Sequence, residues 1–164
     1  MTRRPFSSPL LGLSRAALLP GPAAHAQTNA FVEGREYTRV DPPQAVGSAG
    51  KIEVIEFFYY GCPVCYELEP VLSRWLVNAP ADVQWRSVPA LATASWENFA
   101  RLFYSLEALD ELARLHWPIY DNFHFDDVSL NEEPIMADWV ARNGIEREKF
   151  LETYNSPAMR AKVE

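Results

Sequence analysis

Apolar and polar positions follow two patterns along this chain, strands alternating with a helix up to Pro89 and helices alone after it. Lys51 to Tyr60 holds Ile52, Val54, Ile55, Phe57, Phe58, Tyr59 and Tyr60 in a nearly continuous β-forming run. Such a run predicts a central strand buried on both faces. Arg35 to Val40 predicts a short strand before it, with a loop between them marked by Pro42, Pro43, Gly47 and Gly50. Gly61 breaks the central strand. Leu68, Val71, Leu72, Trp75 and Leu76 then recur at i, i+3, i+4, i+7 and i+8, the spacing of one apolar helical face. Pro63 falls in that helix's first turn, where a missing N–H costs nothing, and Pro80 stops it. Val83 to Val88 predicts another strand, so the order is β–β–α–β, an α/β arrangement.

After Pro89 the period lengthens. Ser95 to Leu109 carries Trp96, Phe99, Phe103 and Leu106 on one face; Glu111 to Phe123 carries Leu112, Leu115, Ile119 and Phe123, with a bend at Pro118. Ser129 to Glu132 has the spacing of a capping box, opening a helix that ends at Asn143-Gly144. Glu146 to Tyr154 predicts one more helix, and Ser156-Pro157 the start of a last one. The aromatic stripes are read as core packing rather than as a cofactor site.

Composition sets a different boundary at the N-terminus. Met1 to Ala26 carries Arg3, Arg4 and Arg15 and no acid, then an apolar run from Leu10 to Leu19, then small residues at Ala24-His25-Ala26. This is the layout of a secretory signal peptide with Gln27 as the mature start, and Arg3-Arg4 adds a hint of a twin-arginine signal. Removing three arginines and no acid takes the formal charge from −7 to −10. A domain that acidic repels phosphate backbones, so nucleic acid is a poor partner.

The only two cysteines lie together in Cys62-Pro63-Val64-Cys65. A bridge across so short a loop constrains the unfolded chain little, so reactivity explains the pair better than stapling. At a strand-to-helix junction the first thiol meets the unsatisfied N–H groups and positive end of the helix, which favour a thiolate. The second thiol is about one turn on, close enough to attack a mixed disulfide. Cys62 is thus the candidate nucleophile and the more exposed thiol, and Cys65 the covered, resolving one. The competing reading is half a zinc site. Zinc wants four ligands, and His116 and His124 do not sit at a ligand spacing from one another. Glu56, in the middle of the apolar strand, is costly to bury unless paired or protonated. It is either a proton acceptor near the thiols or an edge residue facing solvent, and Arg86 on the next strand is a candidate counter-charge.

Three stretches carry a resemblance: Phe31 to Tyr37; Ile55-Glu56-Phe57-Phe58-Tyr59-Tyr60-Gly61-Cys62-Pro63-Val64-Cys65; and Ala141 to Gly144. Together they resemble the DsbA family of periplasmic thiol:disulfide interchange proteins, from about Phe31 to the C-terminus. The resemblance implies a thioredoxin-like fold with an inserted helical domain. It divides the chain into a signal peptide (1–26), the N-terminal part of the thioredoxin-like domain with the Cys-x-x-Cys motif (27–89), and the helical insertion (90–164). It also implies a periplasmic oxidase, expected as a monomer, that donates its disulfide to reduced or unfolded exported proteins. A membrane quinone-linked reoxidase of the DsbB type would restore it. No cofactor is implied beyond the redox-active Cys62–Cys65 disulfide. By position, Cys62 matches the family's nucleophile, Cys65 its partner and Glu56 its buried acid, with Pro63 and Val64 as the dipeptide between the thiols.

Two departures stand out. The family usually has His where this chain has Val64, and Val cannot stabilise a thiolate as His does. The family's closing strand pair, last helix and cis-proline loop have no counterpart after Pro157, so the expectation is a fold lacking its C-terminal part, with an open sheet edge. Three functions compete on this reading. They are a disulfide oxidase, a reductase or isomerase of the same superfamily, and a non-catalytic fragment that binds thiol-bearing polypeptides.

Overall fold

The structure, a computed structural model, describes residues 31–47 and 49–163. The signal-peptide expectation lies outside the described residues. The chain forms two units, divided after Gln44.

In the first unit, the strand expected over Arg35 to Val40 does not form. Gly34 takes a positive φ of 86°, and the backbone folds back so that Gly34 N–H donates to Tyr37 O at 2.8 Å. A single bridge joins Glu33 and Tyr37. Charge pairing explains the closure: Glu36 accepts from the Val32 N–H at 2.8 Å and pairs with Arg35, while Arg39 pairs with Glu33 at 2.8 Å.

The second unit holds two strands and six α-helices among the described residues: β1 (Ile52–Phe58), α1 (Pro63–Leu76), β2 (Val83–Pro89), α2 (Glu97–Ala108), α3 (Leu112–His124), α4 (Glu133–Arg142), α5 (Arg147–Tyr154) and α6 (Pro157–Val163), with one turn of 3-10 helix at Ala94–Trp96 leading into α2. β1 and β2 pair in parallel, in register from Ile52 opposite Val83 to Phe58 opposite Pro89. Parallel neighbours need a crossover connection, and α1 supplies it. β1 is less covered than its composition implies. Phe58 is buried, whereas Phe57 is 69% exposed and Ile52 is also at the surface. Among the described residues the sheet has only these two strands, so β1 keeps one unpaired edge.

α1 corrects a second expectation. None of its residues is buried, and Leu68, Val71, Trp75 and Leu76 of the predicted apolar face are exposed. The residues it packs inward are Cys65 and Tyr66, against the core beside α3.

The core sits among the helices. Phe99, Leu102, Phe103 and Leu106 of α2 pack with Leu115, Ile119 and Tyr120 of α3, with Met136, Trp139 and Val140 of α4, and with Phe150 and Tyr154 of α5. Phe58 and Tyr60 enter the same cluster from the end of β1. Each fully buried side chain of this size contributes about 1.5–3 kcal/mol relative to exposure. Phe99, Phe103, Leu106, Leu115 and Ile119 of the α2 and α3 stripes read from the sequence are therefore core, with Leu112 and Phe123 partly buried against it and Trp96 outside it. Ser129 does not cap α4. The helix starts at Glu133, its N-cap Glu132 makes no side-chain cap bond, and Ser129 only closes a turn through its carbonyl. The other two signals hold: Gly144 ends α4 at φ 86°, and Ser156 Oγ accepts from Met159 N–H at 3.2 Å at the start of α6.

Candidate active site

β1 ends at Phe58, and the chain turns through Tyr59, Tyr60 and Gly61 into α1. Gly61 is required by close approach: a Cβ there would lie 2.6 Å from the Tyr59 ring. That ring is already fixed, stacked on Trp96 at 4.0 Å with an interplanar angle of 2°. Cys62 is the N-cap of α1, in extended conformation, and Pro63 is the first helical residue. The turn is closed by Cys62 N–H donating to Tyr59 O at 3.0 Å, and Cys62 O accepts from Tyr66 N–H at 3.1 Å.

The two thiols are free and partly buried, and their surroundings push them apart. Burial raises the Cys62 thiol, but hydrogen bonds from the Cys65 backbone and side chain and from the Val64 backbone outweigh it, so its pKa falls below the ordinary thiol value. This is the helix N-terminus acting on an anion. Burial pushes the Cys65 thiol up. Its backbone contact with Tyr59 offsets part of the rise, and the charges of Cys62 and Glu56 add to it. Val64 is 70% exposed and packs against nothing that would hold a thiolate.

Glu56 is half-buried on β1 and accepts from Ser87 Oγ at 3.0 Å. Burial raises its carboxyl; the Ser87 bond lowers it, Glu69 raises it and His116 lowers it, with a net rise. Arg86 is not its counter-charge. The register sets Glu56 against Ser87, and strand alternation turns Arg86 to the other face, where it meets Glu53 at 3.0 Å. The solvent-facing reading of Glu56 therefore gives way to a half-buried one.

The structure gives the two histidines, weighed above only as zinc ligands, partners of their own. His116 Nδ1 lies 2.7 Å from Tyr60 Oη, and its Nε2 lies 3.7 Å from Glu69. His116 lowers the Glu69 carboxyl against the opposing effect of burial. His124 Nε2 meets Tyr60 O at 2.7 Å, and Tyr66 stacks on His124 at 5.0 Å while donating to Asp121 at 3.0 Å. The two histidines therefore serve Tyr60. A signal was present: His116, Tyr120 and His124 stand at i, i+4 and i+8 on one face of α3.

A parallel β-α-β unit with Cys-x-x-Cys at the helix N-terminus, followed by a helical insert, is a thioredoxin-like fold carrying an inserted helical domain. Relatives bear this out. The chain is 37% identical over 139 residues to the thiol:disulfide interchange protein DsbA of Pseudomonas aeruginosa, covering 85% of this chain and 66% of that protein. It is 37% identical over 156 residues to the DsbA of Azotobacter vinelandii, covering 94% of this chain and 72% of the relative. The crystal structure of Pseudomonas aeruginosa DsbA superposes with a TM-score of 0.72 at 36% identity, over 83% of this chain and 71% of that one. The oxidoreductase NmDsbA1 from N. meningitidis gives 0.64 at 30% identity, over 80% and 70%. No protein-family model matches the chain. The chain belongs to the DsbA family of thiol:disulfide interchange proteins. It spans 66% of the length of its Pseudomonas aeruginosa relative.

Proposed function

We propose that this protein is a periplasmic thiol–disulfide oxidoreductase that introduces disulfides into exported proteins by exchange at Cys62 and Cys65. The observation that carries the reading is the inequality of the two thiols: Cys62 is lowered at a helix N-cap and Cys65 is raised against the core. In the oxidised form a substrate thiolate attacks Cys62 Sγ. The Cys62–Cys65 bond breaks, and Cys65 leaves with the electron pair and takes up a proton. A second substrate thiolate then attacks the substrate sulfur of the mixed disulfide, and Cys62 leaves as a stabilised thiolate. The substrate is oxidised by two electrons and the protein is reduced by two. A good leaving group at Cys62 drives this direction. Glu56, whose carboxyl burial shifts toward the protonated form, is the acid that supplies the proton to Cys65. Pro63 fixes the first turn of α1, and Val64 leaves the thiolate to backbone N–H groups alone.

The proposed partners are reduced or unfolded exported proteins and a membrane quinone-linked reoxidase of the DsbB type. Export through residues 1–26 would place the protein in the periplasm. Among the described residues no helix is long and apolar enough to cross a membrane. The division of labour proposed is that residues 27–89 carry the thiols and residues 90–164 supply the helical wall with His116.

The test is oxidation of a reduced, unfolded protein substrate with glutathione disulfide as terminal oxidant. Turnover that disappears in Cys62→Ala is expected. A chain that only reduces or shuffles disulfides in a scrambled substrate would overturn the oxidase reading.

A further inference from the structure

The chain on either side of the Cys62–Cys65 pair is held by one helix. Tyr60, two residues before Cys62, has 1% of its surface exposed, and α3 holds both of its oxygens. The hydroxyl lies 2.7 Å from His116 Nδ1, and the backbone carbonyl lies 2.7 Å from His124 Nε2. A carbonyl only accepts, so His124 Nε2 carries the proton in that bond. Tyr66, the residue after Cys65, is held from the same helix. Its ring stacks on Trp117 at 5.3 Å and on His124 at 5.0 Å, and its hydroxyl donates to Asp121 at 3.0 Å. His124 therefore touches both flanks of the thiol pair, Tyr60 by a hydrogen bond and Tyr66 by stacking.

These two contacts bear on the start of α1. Cys62 is the N-cap, extended at φ −91° and ψ 117°, and only Gly61 separates it from Tyr60. Tyr66 N–H donates to Cys62 O at 3.1 Å, so Tyr66 closes the first turn that Cys62 opens. The unsatisfied N–H groups of that turn favour a thiolate on Cys62. They do so only while the turn stays formed, and helix ends fray unless held. Val64 brings no side-chain donor or charge to the sulfur. Thiolate stabilisation in this chain thus depends on backbone geometry, and that geometry on its two anchors.

We propose that His124 is a positioning residue for thiol–disulfide exchange: by holding Tyr60 and Tyr66 together it keeps the first turn of α1 formed at Cys62. The proposal rests on Cys62 and Cys65 being the exchanging pair, not on the direction of exchange. His124 acts on the backbone that carries Cys62, not on the substrate. Without the grip the Cys62 thiolate has fewer aligned donors, so the reduced form is less favoured and the disulfide is a weaker oxidant.

The experiment uses the full-length chain. The pH dependence of alkylation at Cys62 is measured in the reduced protein, and the disulfide is equilibrated with glutathione. Wild type, His124→Leu, His124→Gln and Ile145→Ala are compared. His124→Leu is expected to raise the Cys62 pKa by about one unit and to make the disulfide up to about tenfold less oxidising. Gln can place an amide N–H near the position of the imidazole Nε2, so His124→Gln is expected to recover most of both losses. Ile145→Ala, in the core after α4, should lower the melting temperature and move neither reading. A folded His124→Leu with wild-type titration and equilibrium overturns the proposal. So does a Gln variant no better than Leu, or an Ile145→Ala that shifts the titration as far. Wild type alone supplies a further test: nitrogen NMR shifts of the neutral imidazole should show His124 protonated at Nε2, and protonation at Nδ1 overturns the grip. A wild type whose cysteines form no disulfide at equilibrium with glutathione overturns the oxidoreductase reading, while the tautomer and the Cys62 titration still decide the grip.

Discussion

At the scale of single residues, the candidate site makes two chemically identical thiols unequal. Cys62 sits at a helix N-cap, where backbone donors favour its thiolate, and Cys65 packs against the core, where they do not. An alkylating reagent should therefore label Cys62 of the reduced protein well below pH 8.5, the ordinary thiol value, while Cys65 stays slow. Mass spectrometry of the labelled peptides decides, and equal rates would end the assignment. Val64→His would add a charged or hydrogen-bonding group beside Cys62 and make the disulfide more oxidising. A glutathione redox titration that finds no such shift would refute this account of the dipeptide. Glu56 carries the opposite sign. Its folded pKa is raised above 4.5 chiefly by burial, so the folded state prefers the protonated carboxyl. That preference is fully present below pH 4.5 and lost as pH rises through the folded value. Glu56→Gln should therefore stabilise the fold at neutral pH, with the gain vanishing in acid; urea melts at several pH values measure it. Cys62, Cys65 and Glu56 stood out as candidates in the sequence because local context, a broken strand and an acid among apolar residues, marks them. The roles of His116 and Tyr60 did not, because they come from contacts between the end of β1 and α3 that are distant in sequence.

Elements were legible where burial is one-sided and local signals are strong. The α2 and α3 stripes supply much of the core because these helices pack on one another and on α4 and α5. The face predicted for α1 failed because periodicity records which residues are apolar, not what lies opposite them. The strand predicted at Arg35 to Val40 failed because β propensity cannot see ion pairs that close a turn. Gly144 is the clearest success. It sits at φ 86° with open space around its missing Cβ, so its only requirement is backbone conformation. Gly144→Ala should cost about 1 kcal/mol from left-handed strain alone, with no steric addition. Chemical denaturation should show that loss with an unchanged m-value, since the same surface is exposed on unfolding.

On the scale of the whole molecule, apolar exposure and net charge pull in opposite directions. β1 has an unpaired edge among the described residues, Phe57 beside it is 69% exposed, and Leu68, Val71 and Trp75 of α1 also face solvent. An unpaired edge with apolar side chains is a template for pairing with another chain. The formal charge of −7, or −10 without residues 1–26, repels a second copy. Salt screens that repulsion, with a Debye length of about 10 Å at 0.1 M, and leaves the hydrophobic attraction in place. Association should therefore rise with protein concentration and with ionic strength, whereas ion pairing between copies would weaken in salt. Phe57→Lys removes the most exposed apolar side chain of β1 and puts a charge at the edge, so it should keep the protein monomeric under conditions where wild type associates. Light scattering coupled to size-exclusion chromatography, run at low and high salt for both proteins, reads the outcome. A wild type that stays monomeric at high salt and high concentration would mean that this edge is not exposed in solution.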